Sequence, residues 1–184
     1  EGPASKIRLR WMQAVLGWTI EQIKADPDTA LSKYIELLGY KDRIRIVHNP
    51  GGSFHDFEAM CKKYEPAILI CDQLRLCSGY EKAATEVERL KELYRRARVV
   101  AAQYGPFLTV HQASDAASGR MYPLDNMLEG VRTEVQGALD GQIMIGAEDP
   151  QSNIRGINIV KNKLLGGPES LEQFRHFQFE ISID

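Results

Sequence analysis

Residues 67–72 read Ala67-Ile68-Leu69-Ile70-Cys71-Asp72. Five apolar residues follow one another and end on a carboxylate. Such an unbroken run suits a strand buried on both faces, as strands of parallel sheets are. In open α/β sheets, ligands bind beyond the carboxyl ends of the strands. Asp72 therefore stands where a ligand is expected. The plainer alternative is that it caps the loop that follows.

The elements on either side of this run fit an α/β order. Downstream, residues 81–104 carry Ala83, Val87, Leu90, Tyr94, Ala97 and Ala101 at helical spacing. Gly105-Pro106 ends that helix, and residues 107–111 read as the next strand. Residues 113–123 are small and polar, with Gly119 and Pro123, and predict a loop. A helix over 124–139, a strand over 142–147 and two strands over 156–161 and 174–183 complete the chain. A Gly-Gly-Pro region joins the last two. Upstream, Ile7, Trp11, Ala14, Val15 and Trp18 predict a helix over 4–17. A second helix runs from Asp28, an N-cap after Pro27, to Leu38, and Gly39 stops it. Alternation over Arg43-Ile44-Arg45-Ile46-Val47 predicts a strand, and Asn49-Pro50-Gly51-Gly52 a turn. Ser53, with Asp56 three residues on, caps a short helix bearing Phe54, Phe57, Met60 and Cys61. There is no repeat, so the chain reads as one compact unit. Helices alternate with strands and a hairpin follows, which implies an α/β sheet with an antiparallel edge.

Composition narrows the function classes. The 184 residues suit one domain, and 43% hydrophobic with 26% charged residues are ordinary globular values. The formal net charge of -2 excludes a basic nucleic-acid coat but allows a local basic site. No apolar run approaches the ~18 residues of a membrane span. The first five residues lack the pattern of a signal peptide. Cys61, Cys71 and Cys77 show no C-x-x-C spacing, which suits reduced thiols in a cytoplasmic protein.

Three places could carry chemistry. In nucleoside triphosphatases, an acid placed like Asp72 orients Mg²⁺ and its water beside the phosphates. His111-Gln112 ends the next predicted strand, and a glutamine there can sense a γ-phosphate or position a water. The alternative is a polar pair facing a loop. In Lys161-Asn162-Lys163, two cations one residue apart can reach one anion, or can simply be a solvated hairpin tip. The charges of the long helix, Arg89, Lys91, Arg95, Arg96 and Arg98 among Glu88 and Glu92, suit a solvated face. His48, His55 and His176 have no partner at metal-ligand spacing. G-x-x-x-x-G-K-[ST] is absent, and neither Gly51-Gly52 nor Gly166-Gly167 is followed by the Lys-Ser/Thr pair that phosphate cradling needs.

Taken in order, these features resemble the RecA-like motor domain of DnaB-type, superfamily-4 replicative helicases, especially those of bacteriophages. That family shows an acid-ended strand, a long helix, a strand ending in a His or Gln sensor, and a mobile DNA-binding loop. A leucine-led segment with acidic residues, another strand and a basic hairpin follow. The corresponding stretches here are 68–72, 81–104, 107–112, 113–123, 124–140, 142–147 and 155–167. Glu1-Gly2-Pro3-Ala4 looks like the family's catalytic glutamate junction after the second core strand.

The resemblance implies a RecA-like three-layer core with a mostly parallel sheet and a C-terminal antiparallel hairpin. It implies that 1–184 is the C-terminal portion of a single ATPase domain whose P-loop strand and helix are missing. Asp72 would hold Mg²⁺ through water, and Glu1 would polarise the attacking water. Gln112 would sense the γ-phosphate of ATP or another NTP. Lys161 and Lys163 would reach the neighbouring subunit's nucleotide, as an arginine finger does. Arg120 would face single-stranded DNA in the channel of a ring, a homo-oligomer expected to be hexameric. The chain would work without a membrane, in the host cytoplasm if phage-encoded. Three departures stand out. Lys163 occupies the finger position where arginine is usual, and lysine offers a point charge instead of a planar fork. The family's R-E-S-G-like stretch is loosely matched by Leu128-Glu129-Gly130-Val131. The phosphate-binding loop is missing, so the chain alone is expected neither to bind ATP tightly nor to hydrolyse it. Two other readings share this sequence: a RecA-like recombination or repair ATPase that forms filaments, and a P-loop-less interaction module without catalysis. Unwinding of a forked duplex separates the first from a helicase, and a P-loop in the upstream reading frame counts against the second.

Overall fold

The computed structural model describes residues 3–80, 83–129, 132–163 and 175–181. Backbone contacts divide the chain into two compact units; the first runs to Pro50 and the second begins at Gly51.

The first unit holds three helices: α1 (Pro3–Leu16), α2 (Ile20–Ala25) and α3 (Pro27–Leu38). The sequence reading misses α2, which starts at a reciprocal cap. The Gln22 N–H donates to Thr19 Oγ1, and the Thr19 N–H donates to Gln22 Oε1 at 2.8 Å. The cap of α3 is Asp26, not Asp28: its carboxylate accepts from the Thr29 N–H at 3.1 Å. Pro27 takes the first helical position, where a missing N–H costs nothing. Gly39 ends α3 as expected. Ile23, Ala30 and Tyr34 are buried. Residues 43–47 do not form the expected strand. Ile44 and Ile46 are half-buried between exposed neighbours, so the alternation survives. A ladder also needs a partner for its backbone groups, and no strand pairs there among the described residues.

The second unit contains α4 (Phe54–Tyr64), β1 (Leu69–Cys71), α5 (Glu86–Tyr104), β2 (Phe107–Thr109), α6 (Arg132–Ala138), β3 (Gly141–Gly146), β4 (Ile154–Asn162) and β5 (His176–Glu180). Ser53 and Asp56 cap α4 reciprocally, as read from the sequence. β1 and β2 pair in parallel, Leu69 opposite Phe107 and Cys71 opposite Thr109. β3, β4 and β5 form an antiparallel sheet in that order. Among the described residues the parallel part is thus two strands, and β3 widens the expected hairpin to three. No helix among the described residues is long and apolar enough to cross a membrane.

α5 begins at Glu86 behind a Thr85 cap, later than expected, and residues 81–82 lie outside the described residues. Its buried side is Leu90, Leu93, Tyr94, Ala97 and Val100, so the stripe is rotated away from Val87, which is exposed. The turn from α5 into β2 passes close over β1. A Cβ on Gly105 would lie 2.4 Å from the Ala67 carbonyl oxygen, so only glycine fits. The run 67–71 is not covered on both faces. Leu69 and Cys71 are buried, but Ile68 and Ile70 are 60% and 59% exposed, and Leu108 and Val110 beside them 53% and 55%. One face of the parallel pair is bare.

The expected helix over 124–139 breaks into a 3-10 turn (Asp125–Met127) and α6. Backbone bonding explains the break. The Ser114 N–H donates to the Met127 carbonyl at 2.7 Å, the Glu129 N–H donates to the Gln112 carbonyl at 3.0 Å, and Ala113 bridges Leu128. Residues 127–129 spend their hydrogen bonds on the far end of the loop instead of on a helix.

The loop between these paired ends lies on the antiparallel sheet. Gly146 and Gly156 are register partners. A Cβ on the first would lie 2.1 Å from the Arg120 carbonyl oxygen, and on the second 2.2 Å from that of Met121. Two bare glycines thus make the seat. Buried Asn158 donates to the Pro123 carbonyl at 2.7 Å, and Tyr122 stacks on His176 at 4.3 Å between ring centroids. Gly156→Ala should unseat the loop at a cost of about 1–3 kcal/mol, the usual range for overpacking. Urea denaturation and the rate of tryptic cleavage at Arg120 measure this; unchanged stability and cleavage would contradict the seat.

Candidate functional site

Because β1 and β2 run parallel and in register, the residues after them leave from one edge. Asp72 follows β1, and Val110, His111 and Gln112 follow β2. The chain turns sharply after Asp72: Gln73 takes a left-handed conformation at φ 60°, and a 3-10 turn (Leu74–Leu76) follows. Fully buried Leu74 anchors that turn, and its N–H donates to Thr109 Oγ1 at 3.0 Å. The end of β2 thereby holds the exit of β1.

Asp72 is exposed, and its carboxylate has no hydrogen-bond or ion-pair partner among the described residues. No cluster of three metal-ligating side chains occurs among them. A single free carboxylate fits Mg²⁺, which keeps most of its waters and takes its remaining ligands from phosphates. The Gln112 side chain is likewise exposed and unpartnered among the described residues, while its main chain is fixed by Glu129.

Glu129 joins the pieces. Its carboxylate pairs with the Arg75 guanidinium, its N–H reaches Gln112, and its carbonyl accepts from His111 Nε2 at 2.7 Å. A carbonyl can only accept, so Nε2 carries the proton of the neutral ring. His111 Nδ1 then accepts from the Tyr94 hydroxyl at 2.9 Å. Burial pushes the Tyr94 phenol up to about 12, which keeps it a donor. Sequence patterns miss Glu129, Tyr94 and Arg75, because their partners lie 17 to 54 residues away.

Arg89 ties the start of α5 to the same turn. Its guanidinium donates to the carbonyls of Cys77 at 3.0 Å and Arg75 at 2.8 Å, and pairs with Glu86. Within the turn, Cys71 Sγ and Cys77 Sγ lie 3.9 Å apart. The hydrogen bond from Cys71, helped by the Arg89 charge, brings the Cys77 thiol down to about 7. The same bond, burial and the charge of Asp72 push Cys71 up.

The two candidate lysines sit elsewhere. Asn162 pairs with Gly141, which brings the end of β4 beside the end of α6. Lys161 Nζ donates to the Gln136 carbonyl, and partial burial holds its ammonium below the usual lysine range. Lys163 Nζ is 3.3 Å from Asp140 Oδ1, which Arg98 approaches at 3.1 Å. Arg89 and Arg98 are nine residues apart on α5, about 13 Å along its axis. Within one chain, the lysines are therefore at a different level from the Asp72 edge. Arg120 is exposed on the seated loop and donates to the Ala116 carbonyl at 3.1 Å. Glu1 lies outside the described residues.

The order and pairing of these elements are those of a RecA-like α/β fold. Two solved structures carry that statement. An ATPase domain of known structure matches with a TM-score of 0.68 at 17% identity, over 89% of this chain and 64% of that one. The structure of a DnaB-like replicative helicase and its interactions with primase matches with a TM-score of 0.69 at 16% identity, over 89% of this chain and 45% of that one. The chain thus spans less than two thirds of either. No protein-family model matches the sequence, and no curated protein matches it.

The hydrogen-bond directions make a test. Nitrogen NMR of neutral His111 should show the Nε2–H tautomer. Tyr94→Phe should mix the tautomers and cost about 1 kcal/mol, the net worth of one hydrogen bond. An Nδ1–H tautomer in the unmodified protein would contradict the network.

Proposed function

We propose that this chain is the C-terminal portion, residues 1–184, of the RecA-like motor of an ATP-dependent replicative DNA helicase. The observation that carries this reading is the shared edge of β1 and β2. It presents a free carboxylate, Asp72, and a free amide, Gln112, and Glu129 ties Arg75 of the turn after Asp72 and the Gln112 main chain to the seated loop.

In this reading Asp72 holds Mg²⁺ through water, and the ion neutralises charge on the phosphates of ATP or another NTP. Glu1 polarises the attacking water. Gln112 senses the γ-phosphate, and its backbone bond to Glu129 passes any shift to the loop that carries Arg120. Arg120 faces single-stranded DNA. The bare face of Ile68, Ile70, Leu108 and Val110 suits a further layer of the whole protein, and a phosphate-binding loop would come with it. Lys161 and Lys163 act on the neighbouring subunit's nucleotide in a ring, probed most simply as a hexamer. To do so they must leave Gln136 and Asp140. The Lys163–Asp140 pair is solvent-accessible, so its loss costs no more than about 1 kcal/mol. Such a motor works in the cytoplasm of the cell, or of the host if a phage encodes it.

A protein that includes an upstream phosphate-binding loop should show Mg²⁺-dependent, DNA-stimulated ATP hydrolysis. Asp72→Ala should lower turnover by about a hundredfold or more, the scale of losing one electrostatic stabiliser. Unchanged turnover would remove Asp72 from the site. Lys163→Ala should also inactivate the ring. Mixing those two inactive variants should restore activity at roughly a quarter of the interfaces, since head-to-tail contacts pair each type at random. No recovery on mixing, with rings intact, would contradict the shared site.

A further inference from the structure

Cys71 and Cys77 are the closest pair of thiols among the described residues, and they bracket the turn that presents Asp72. Cys71 ends β1 and is buried; Cys77 closes the 3-10 turn and is half-buried. Their sulfur atoms lie 3.9 Å apart and already face each other as hydrogen-bond partners. Cys61 is buried in α4 and is not a partner of either sulfur among the described residues. We propose that Cys71 and Cys77 form a dithiol site that closes reversibly to a disulfide when a low-molecular-weight disulfide oxidises it.

The steps balance. The Cys77 sulfur, as thiolate, attacks one sulfur of the small disulfide and expels the other half as a thiolate. The Cys71 sulfur then loses its proton and attacks Cys77 Sγ, expelling the second half. One protein disulfide forms, two protein S–H bonds are lost, and the small disulfide is reduced to two thiols. The geometry favours this order. Cys77 is the less buried residue, and the hydrogen bond from Cys71, helped by the Arg89 charge, favours its thiolate. Cys71 sits behind it as the resolving thiol.

Closure must bring the sulfurs from 3.9 Å to about 2.05 Å. The movement falls on residues 72–76, the turn that bears Asp72 and Arg75. Leu74 is fully buried and bonded to Thr109, so the turn has little freedom to absorb it. A small dithiol should reopen the bond, since strained and accessible disulfides are the easily reduced ones. The site is independent of the helicase reading, because its test uses neither nucleotide nor DNA.

The reduced chain is incubated, folded, with oxidised glutathione, then quenched with acid and measured by intact mass spectrometry. The expected product has lost two hydrogens and regains them with dithiothreitol. Arg75 lies between the two cysteines, so trypsin should release two peptides joined through Cys71 and Cys77. Cys61→Ser should give the same product. Cys71→Ser should stop at glutathione attached to Cys77. A wild-type protein that stops at that mixed disulfide, that links Cys61 instead, or that stays fully reduced would overturn the proposal. The wild-type mass and peptides decide it even if a variant fails to fold.

Discussion

The parallel pairing of Leu69–Cys71 with Phe107–Thr109 is the constraint on which the rest depends. Each of its hydrogen bonds is worth only about 1 kcal/mol net. Their direction matters more than their strength. Antiparallel pairing would send Asp72 and Gln112 to opposite edges. Parallel pairing sends both to one edge, and it needs a long crossover between the strands. α5 supplies that crossover, burying Leu90, Leu93, Tyr94, Ala97 and Val100 against the sheet. Gly105 then lets the chain return close over Ala67.

The edge is connected to the loop by contacts that are individually modest. The Arg75–Glu129 pair is partly exposed and adds little stability. Its value is positional. One residue, Glu129, contacts the turn after β1 through its side chain, the end of β2 through its carbonyl, and Gln112 through its N–H. The Gln112 main chain is thereby tied to Glu129. Past Glu129, the loop is held by its paired ends and by the seat on Gly146 and Gly156. The loop over 113–123, expected to be mobile, is thus an anchored one, with Arg120 exposed on it.

Local signals are legible in the sequence and distant ones are not. The Ser53–Asp56 cap, Gly39 and Gly105 each act within a few residues, and each is read correctly in place. α2 escapes because six residues are too few for a helical period, and only its Thr19–Gln22 cap betrays it. The 124–139 helix is overread because pairing with residues 112–114 competes for the same backbone groups. The apolar run predicts two covered faces, yet Ile68 and Ile70 on one of them are exposed. Asp72 and Gln112 can be named from strand ends. The Glu129–His111–Tyr94 connection cannot, because no pattern links residues that meet only after folding.

The central claim is that the common edge of β1 and β2 is where nucleotide and metal meet this chain. Manganese-nucleotide broadening of amide NMR signals tests it most directly, in a protein extended to include a phosphate-binding loop. The account predicts the strongest broadening at Asp72 and Gln112, a weaker effect along the turn to Arg75, and little at the Ala147–Arg155 end of the antiparallel sheet. Broadening centred away from the Asp72 edge, or none there under saturating nucleotide, would contradict it.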